Sequence, residues 1–227
     1  RTGHLAIDNG LDIHAVMEEA RFFGISGLMK LLAPKIAALT CELSRADFVQ
    51  LLLTSESKSK LRCQGLQLSG VDLSGLDLSG INFRGCQLEG ANLCDCNLSQ
   101  VDFEGANLVE ADLSGANLCG ANLATANLTS AKLQGVQMDD RQGLRANLKS
   151  CKLDDADLSE SLLGGSNFRV ASLKRAVFNH SCLRSCDLSG ANLEDASFVG
   201  CNLSRTNLKG ANLEGTTFDV VSVSSRV

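Results

Sequence analysis

A leucine, phenylalanine or methionine returns at every fifth residue from Leu68 to Phe218, through Leu73, Leu78, Phe83, Leu88 and Leu93, with one break at Gly143. A spacing of five fits neither the turn of an α-helix nor the alternation of a β-strand. Each block of five must then be a short extended piece followed by a corner. In blocks counted from Leu61, only Cys63 and Gly143 lack a bulky third residue. The first place is most often Ala and otherwise mainly Cys, Ser, Thr or Val, the second is mostly Asn or Asp, and the fifth is most often Gly. The first and third places read as a narrow interior, while the second, fourth and fifth face water. Gly and Ser belong at the corners, and an Asn or Asp side chain in second place can hydrogen-bond local backbone.

Four such sides close a square coil of 20 residues, and the phenylalanines test that number: Phe83 and Phe103 are 20 apart, as are Phe178, Phe198 and Phe218. Rings stack best on rings. The expectation is an all-β repeat solenoid with Leu73, Leu93, Leu113 and Leu133 stacked on one side and Phe178, Phe198 and Phe218 on another. About eight coils at the ~4.8 Å strand spacing make a rod of roughly 38 Å. Blocks such as Ala106-Asn107-Leu108, Ala111-Asp112-Leu113 and Ala191-Asn192-Leu193 resemble the pentapeptide-repeat family. That resemblance implies a four-sided right-handed parallel β-helix, in keeping with the general handedness of parallel connections.

Composition agrees with thin stacked layers: there is no Trp or Tyr, a single proline (Pro34) and 21 Gly. A net charge of −5 gives no global positive field, so nucleic acid is a poor partner. No apolar stretch approaches the ~20 residues of a membrane span, and no signal layout opens the chain. A cytoplasmic setting is expected, with the nucleus as a second one. A start at Arg1 without Met suggests a fragment. Of the ten cysteines, Cys86, Cys96, Cys151, Cys186 and Cys201 stand where other blocks have Ala, and read as small buried hydrophobes in a reducing compartment. Cys94-x-Cys96 and Cys182-x₃-Cys186 lack the paired spacing of zinc sites. Asp139-Asp140 and Asp154-Asp155-x-Asp157 lack the Gly and terminal Glu of a calcium loop. His4, His14 and His180 are scattered, and no catalytic constellation is present. No enzyme activity, cofactor or metal is expected.

Helical spacing runs from Leu11 to Phe23 and from near Ser26 to Leu39, with Pro34 inside the second stretch. Ser44-Arg45-Ala46-Asp47 reads as a capping box, with Asp for the usual Glu, that starts a helix through Phe48, Leu51, Leu52 and Leu53. This helix is placed to cover the open first coil, whose edge would otherwise invite association. The stretch Gly10 to Ile25, ending Glu19-Ala20-Arg21-Phe22-Phe23-Gly24-Ile25, resembles the C-terminal end of a BTB/POZ domain of the potassium-channel-tetramerisation type. Ser44 to Gly65 resembles the connector that joins such domains to pentapeptide repeats in an animal type. A plant type, described as formin-homology-interacting, has the same organisation. The division expected is residues 1–39 as a helical remnant of the BTB/POZ domain, 40–60 as connector and capping helix, 61–220 as the β-helix and 221–227 as a tail. The resemblance implies an adaptor that self-associates and binds cullin-3 through the BTB part, in a ubiquitin-ligase complex, while the rod engages a protein client. Most of the BTB surface is missing from this chain, so no cullin-binding residue can be carried over. A structural or formin-linked scaffold without a ubiquitin role is the alternative. A DNA-mimicking topoisomerase inhibitor, as among bacterial pentapeptide proteins, is a lesser one, since basic residues interrupt the acidic columns.

Two surface features are candidates for binding. Counting by 20 aligns Lys149, Arg169, Ser189 and Lys209, with Arg145, Arg184 and Arg205 at the neighbouring corner, as a basic strip for an acidic partner segment. Another quadrant is expected to collect Asp139, Asp140, Asp157, Glu160 and Asp219. The irregular stretch Asp139, Asp140, Arg141, Gln142, Gly143, Leu144 and Arg145 has Arg where Ala belongs and Gly where Leu belongs. It is expected to leave the wall as a loop and is a candidate for recognition.

Overall fold

The computed structural model describes residues 44–54, 61, 63–139 and 143–218. The chain divides into two compact units, Arg1–Cys41 and Glu42–Val227. The expected helices of residues 11–39 and the tail 221–227 lie outside the described residues.

In the second unit, helix α1 (Arg45–Thr54) leads into a parallel coil. The helix begins with a reciprocal cap: the Asp47 N–H donates to Ser44 Oγ (3.3 Å), and the Ser44 N–H donates to Asp47 Oδ2 (3.1 Å). Past it, Gln67 pairs with Gln87 and Gln87 with Asn107, a step of 20 residues that repeats on all four sides. Side 1 carries Cys63, Phe83, Phe103, Leu123, Leu148, Phe168, Leu188 and Leu208, and side 2 begins at Leu68. Side 3 begins at Leu73 and side 4 at Leu78. First- and third-place residues form one continuous buried core from Cys63 to Phe198. In the last coil Leu203 and Leu208 are partly buried, while Leu213 and Phe218 are exposed. Among the described residues only the final rungs, β1 (Ser197–Phe198) and β2 (Thr217–Phe218), extend to two-residue strands, paired in parallel with Phe198 opposite Phe218.

Most of the backbone donors of a block are bonded within the coil. The third-place N–H donates to the second-place carbonyl of the next coil (Leu88 to Asn107, 2.7 Å), and the fifth to the fourth-place carbonyl there (Gly90 to Val109, 2.8 Å). The second donates back to the previous coil (Gln87 to Leu66, 2.9 Å), and the first closes the corner (Ala91 to Leu88, 3.0 Å). The fourth-place N–H is left over. Where the second place is Asn or Asp its side chain takes it, as when Asp112 Oδ1 accepts from the Ser114 N–H (3.0 Å) and Asn167 Oδ1 from the Arg169 N–H (3.1 Å). This is why Asn and Asp recur there. Their free amides also bond from coil to coil, Asn147 to Asn122 (3.1 Å) and Asn167 to Asn147 (3.1 Å). Among the described residues every fifth-place residue but Arg145, Gly120 at 70° and Val170 at 56° among them, turns the corner in the left-handed region.

The step changes once. Asn122 pairs with Asn147, Asn127 with Lys152, Lys132 with Asp157 and Gln137 with Leu162, a step of 25 before 20 resumes. Five residues are added at the corner between sides 4 and 1, where Asp139 and Arg145 form an antiparallel bridge at the base of the excursion. The addition corrects one expectation. Phe178, Phe198 and Phe218 stand on the same side as Leu73, Leu93, Leu113 and Leu133, continued through Leu158, because the five added residues advance the later sequence by one side. Phe178 and Phe198 stack at 4.7 Å and 2°, and Phe198 and Phe218 at 5.5 Å and 10°. Phe168 joins the side of Phe83 and Phe103, and meets Phe178 edge-on across the interior (6.3 Å, 86°).

Candidate interaction surface

The basic residues frame side 1 of the later coils. Lys149, Arg169, Ser189 and Lys209 follow one another along the corner between sides 1 and 2, as the pairs Asn147 with Asn167, Asn167 with Asp187 and Asp187 with Asn207 require. Arg184 belongs to the opposite corner, between sides 4 and 1, together with Arg145 and Arg205. All six are exposed. Asn147, Asn167, Asp187 and Asn207 occupy the wall between the two corners. Arg169 Nε lies 3.8 Å from Asp187 Oδ2, whereas Arg145, Lys149, Arg184, Arg205 and Lys209 enter no ion pair among the described residues. The cations between sides 2 and 3 differ: Arg175 clamps Asp155 (2.6 and 2.7 Å) and Lys174 holds Glu194 (2.7 Å). Hydrogen bonds from Arg175 hold the Asp155 carboxyl below its ordinary pKa, and Lys174 does the same for Glu194.

The excursion sits on glycines. A Cβ on Gly164 would collide with the Asp139 carboxylate, one on Gly165 would lie 2.7 Å from Arg145 Nε, and one on Gly120 would lie 3.5 Å from Leu144 Cβ. Asp139 and Arg145 therefore rest on the following coil and Leu144 on the preceding one. Gly164 and Cys119, both in the normally open fourth place, are buried as a result. Gly143 has a φ of 82°, and Asp140, Arg141 and Gln142 lie outside the described residues. The excursion also explains an orphan. At several other corners the first-place hydroxyl or thiol donates to a third-place carbonyl one coil back: Ser161 to Leu133 (2.9 Å), Cys186 to Leu163 (3.0 Å), Thr206 to Leu183 (2.8 Å). Ser166 lies beneath the opened corner, and its buried Oγ has no partner among the described residues.

The acidic quadrant does not assemble as expected. Asp157 lies on side 3 and Glu160 at the corner of sides 3 and 4, whereas Asp139 stands a full side away, in the same corner column as Gly164 and Arg184. The chain turns at Asp139 before the added residues displace it, which puts its carboxylate beside the cations. Asp140 and Asp219 lie outside the described residues. Three residues that counting by columns passed over are Leu162, Val177 and Cys182, apolar in the outward second place. Gly164, the one glycine in a fourth place, was a legible signal of the seat beneath the excursion.

The thiols offer no ready nucleophile among the core positions. Burial pushes Cys63 up to about 11 and Cys86 and Cys186 up to about 12, and raises Cys151 as well. Among the described residues no cluster could hold a metal ion, and no helix is long and apolar enough to cross a membrane. What this surface offers is a fixed array of side chains.

The BTB/POZ domain-containing protein KCTD9 of Homo sapiens is 42% identical over 74 residues, 30% of this chain and 19% of that protein. Its Mus musculus counterpart is 34% identical over 91 residues, 38% of this chain and 27% of that protein. The match thus spans no more than 27% of either relative's length. A solved pentapeptide repeat protein from the Arabidopsis thaliana thylakoid lumen shares 25% identity over 53% of this chain and 66% of its own, with a TM-score of 0.38. Pentapeptide repeats match in 8 copies over residues 62–100, 106–140, 151–190 and 186–219, and with this right-handed four-sided parallel β-helix the chain belongs to the pentapeptide-repeat family.

Proposed function

We propose that the chain is the client-binding part of a non-catalytic, cytoplasmic adaptor whose BTB/POZ portion self-associates and engages cullin-3 in a ubiquitin-ligase complex. The observation that carries the client-binding reading is the set of exposed cations framing side 1. Among the described residues Arg145, Lys149, Arg184, Arg205 and Lys209 take no part in ion pairs, while nearby Arg175 and Lys174 do. Cations held on a rigid wall and outside any ion pair among the described residues suit an acidic protein segment. Such rim charges act more on association rate than on residence time.

The test replaces Lys149, Arg169 and Lys209 together by Glu and measures capture of client proteins by the full-length protein at low and moderate salt. Loss of capture, greatest at low salt, is the expected result. Unchanged capture in both conditions removes the strip. Cullin-3 should be captured by the full-length protein and lost when the BTB/POZ portion is removed, while the client stays. If cullin-3 is never captured and a formin is, the resemblance to the plant type carries the function instead, as a cytoskeleton-linked scaffold.

A further inference from the structure

In every described block the outward second place is polar except at Leu162, Val177 and Cys182. The fold gathers these three. Leu162 and Cys182 are direct neighbours on side 4, and Val177 lies one corner before Cys182 on side 3. Val199, 38% exposed, continues that corner in the next coil, where its carbonyl accepts from the His180 N–H (2.8 Å). Leu162 is 53% exposed.

The fold gains nothing from apolar residues here. Asn in these places would add a coil-to-coil amide bond and would fill the fourth-place N–H. Where Ser stands instead, a neighbour compensates: Asp154 accepts from the Ser172 hydroxyl and the Lys174 N–H, and Asn179 from the Ser197 hydroxyl and the Val199 N–H. Next to Val177 and Cys182 nothing does so. Among the described residues, no group accepts from the N–H of Asn179 or of Arg184. The N–H groups of Gln134 and Asp154, beside Lys132 and Lys152, are likewise unbonded among the described residues, so what sets this patch apart is its outward apolar side chains, a local rule broken without gain to the fold that points to a use outside it.

We infer that Leu162, Cys182, Val177 and Val199 form a docking strip for a protein segment in which aliphatic and acidic residues alternate. Aliphatic side chains of the segment cover the strip. Its carboxylates meet the open N–H groups and the Arg184 guanidinium, which edges side 4 and is exposed and outside any ion pair among the described residues. Arg145 and Arg205 extend the same edge, so the corner serves both this strip and side 1. The inference rests on the scaffold reading and specifies where the client sits.

The experiment uses the intact chain and labelled dodecapeptides that alternate Leu with Glu, Leu with Lys, or Ser with Glu, followed by fluorescence anisotropy. The Leu–Glu peptide should bind saturably and the others about tenfold more weakly or worse. Leu162→Asn with Cys182→Asn installs the repeat's own residue and should leave the melting temperature unchanged or higher while weakening the Leu–Glu peptide about tenfold or more. Equal binding of the Leu–Glu and Ser–Glu peptides, or equal binding by the double variant, overturns the strip. So does a concentration-dependent dimer of the parent chain that the double variant abolishes, since the occupant is then a second copy. Client capture separates the two readings. A client held equally by parent and double variant leaves the scaffold standing and removes the strip. No client at all removes the scaffold, and the peptides still judge the strip.

Discussion

Ser166 and Ser181 are chemically identical, equally enclosed, and opposite in their effect on the wall. Ser181 Oγ donates to the Leu158 carbonyl (2.6 Å) and accepts from the Ser161 N–H (2.9 Å), replacing a corner bond. Ser181→Ala strands both groups and should cost about 1 to 3 kcal/mol. Ser166→Ala removes a buried hydroxyl with no partner among the described residues and should stabilise by about 1 kcal/mol. Urea midpoints of the two variants should move in opposite directions, and a loss of stability in Ser166→Ala would mean its hydroxyl is satisfied in solution. The second-place carboxylates extend the same logic to pH. The Ser74 side-chain and backbone donors hold Asp72 below its ordinary pKa. Desolvation opposes the shift at Asp112 and Asp187, but bonds from Ser114 and Ser189, with others, outweigh it. A depressed folded pKa means that the stabilisation is complete above the unfolded value near 3.8 and is lost as pH falls through the folded one. Stability should therefore decline below about pH 4, and less steeply with Asp72, Asp112 and Asp187 replaced by Asn, which keeps the acceptor and cannot titrate. Equal slopes in acid titrations of parent and variant would assign the decline to other groups.

Helix α1 and the first coil form one packed element because a third-place side chain is missing. Cys63 stands where a Leu or Phe belongs, and Phe48 fills the space, fully buried and stacked on Phe83 at 6.0 Å, with Phe83 stacked on Phe103 at 5.3 Å. Arg45 ties the helix down from outside, donating to the carbonyls of Asp72 (3.2 Å) and Ser74 (2.9 Å). Phe48→Ala should cost about 3 to 5 kcal/mol, and Cys63→Leu about 1 to 3 through overpacking. In combination they should cost less than their sum, since the leucine enters the space left by the ring. Additive losses in thermal or urea unfolding would show that the two side chains do not share that space. The capping box and the apolar run of this helix were legible from local pattern. The shared cavity was not, because it depends on Cys63 and Phe48 meeting across 15 residues. The Asn ladder was half legible: the sequence shows an acceptor at each corner, but only the closed coil brings the amides within reach of one another.

Across the whole molecule, the five-residue period hides its own exception. Residues 141–145 keep the count of five, so the reading frame is the same whether they lie in the wall or outside it, and only the bridges reveal a step of 25. Columns read within one half stay correct, as for Lys149, Arg169 and Lys209. Columns read across the excursion slip by one side, as Phe178 did, and the acidic quadrant fails because Asp139 precedes the slip. This makes the excursion removable. Deleting residues 140–144 leaves Asp139 and Arg145 as an ordinary two-residue corner between Met138 and Ala146, and every later core residue keeps its side. The shortened chain should fold with the same far-ultraviolet spectrum and at least the parent's stability, since the corner bond from Ala146 to Met138 can form and Ser166 gains a carbonyl one coil back. Deleting four residues instead of five puts polar second-place side chains where the bulky third-place residues now pack, and should prevent folding beyond Met138, as should Leu113→Asp at any length, by placing a charge in a core one side chain wide. Circular dichroism and urea unfolding of the two deletions decide the matter: a five-residue deletion that unfolds, or a four-residue deletion that does not, would refute a wall whose register is set by whole blocks.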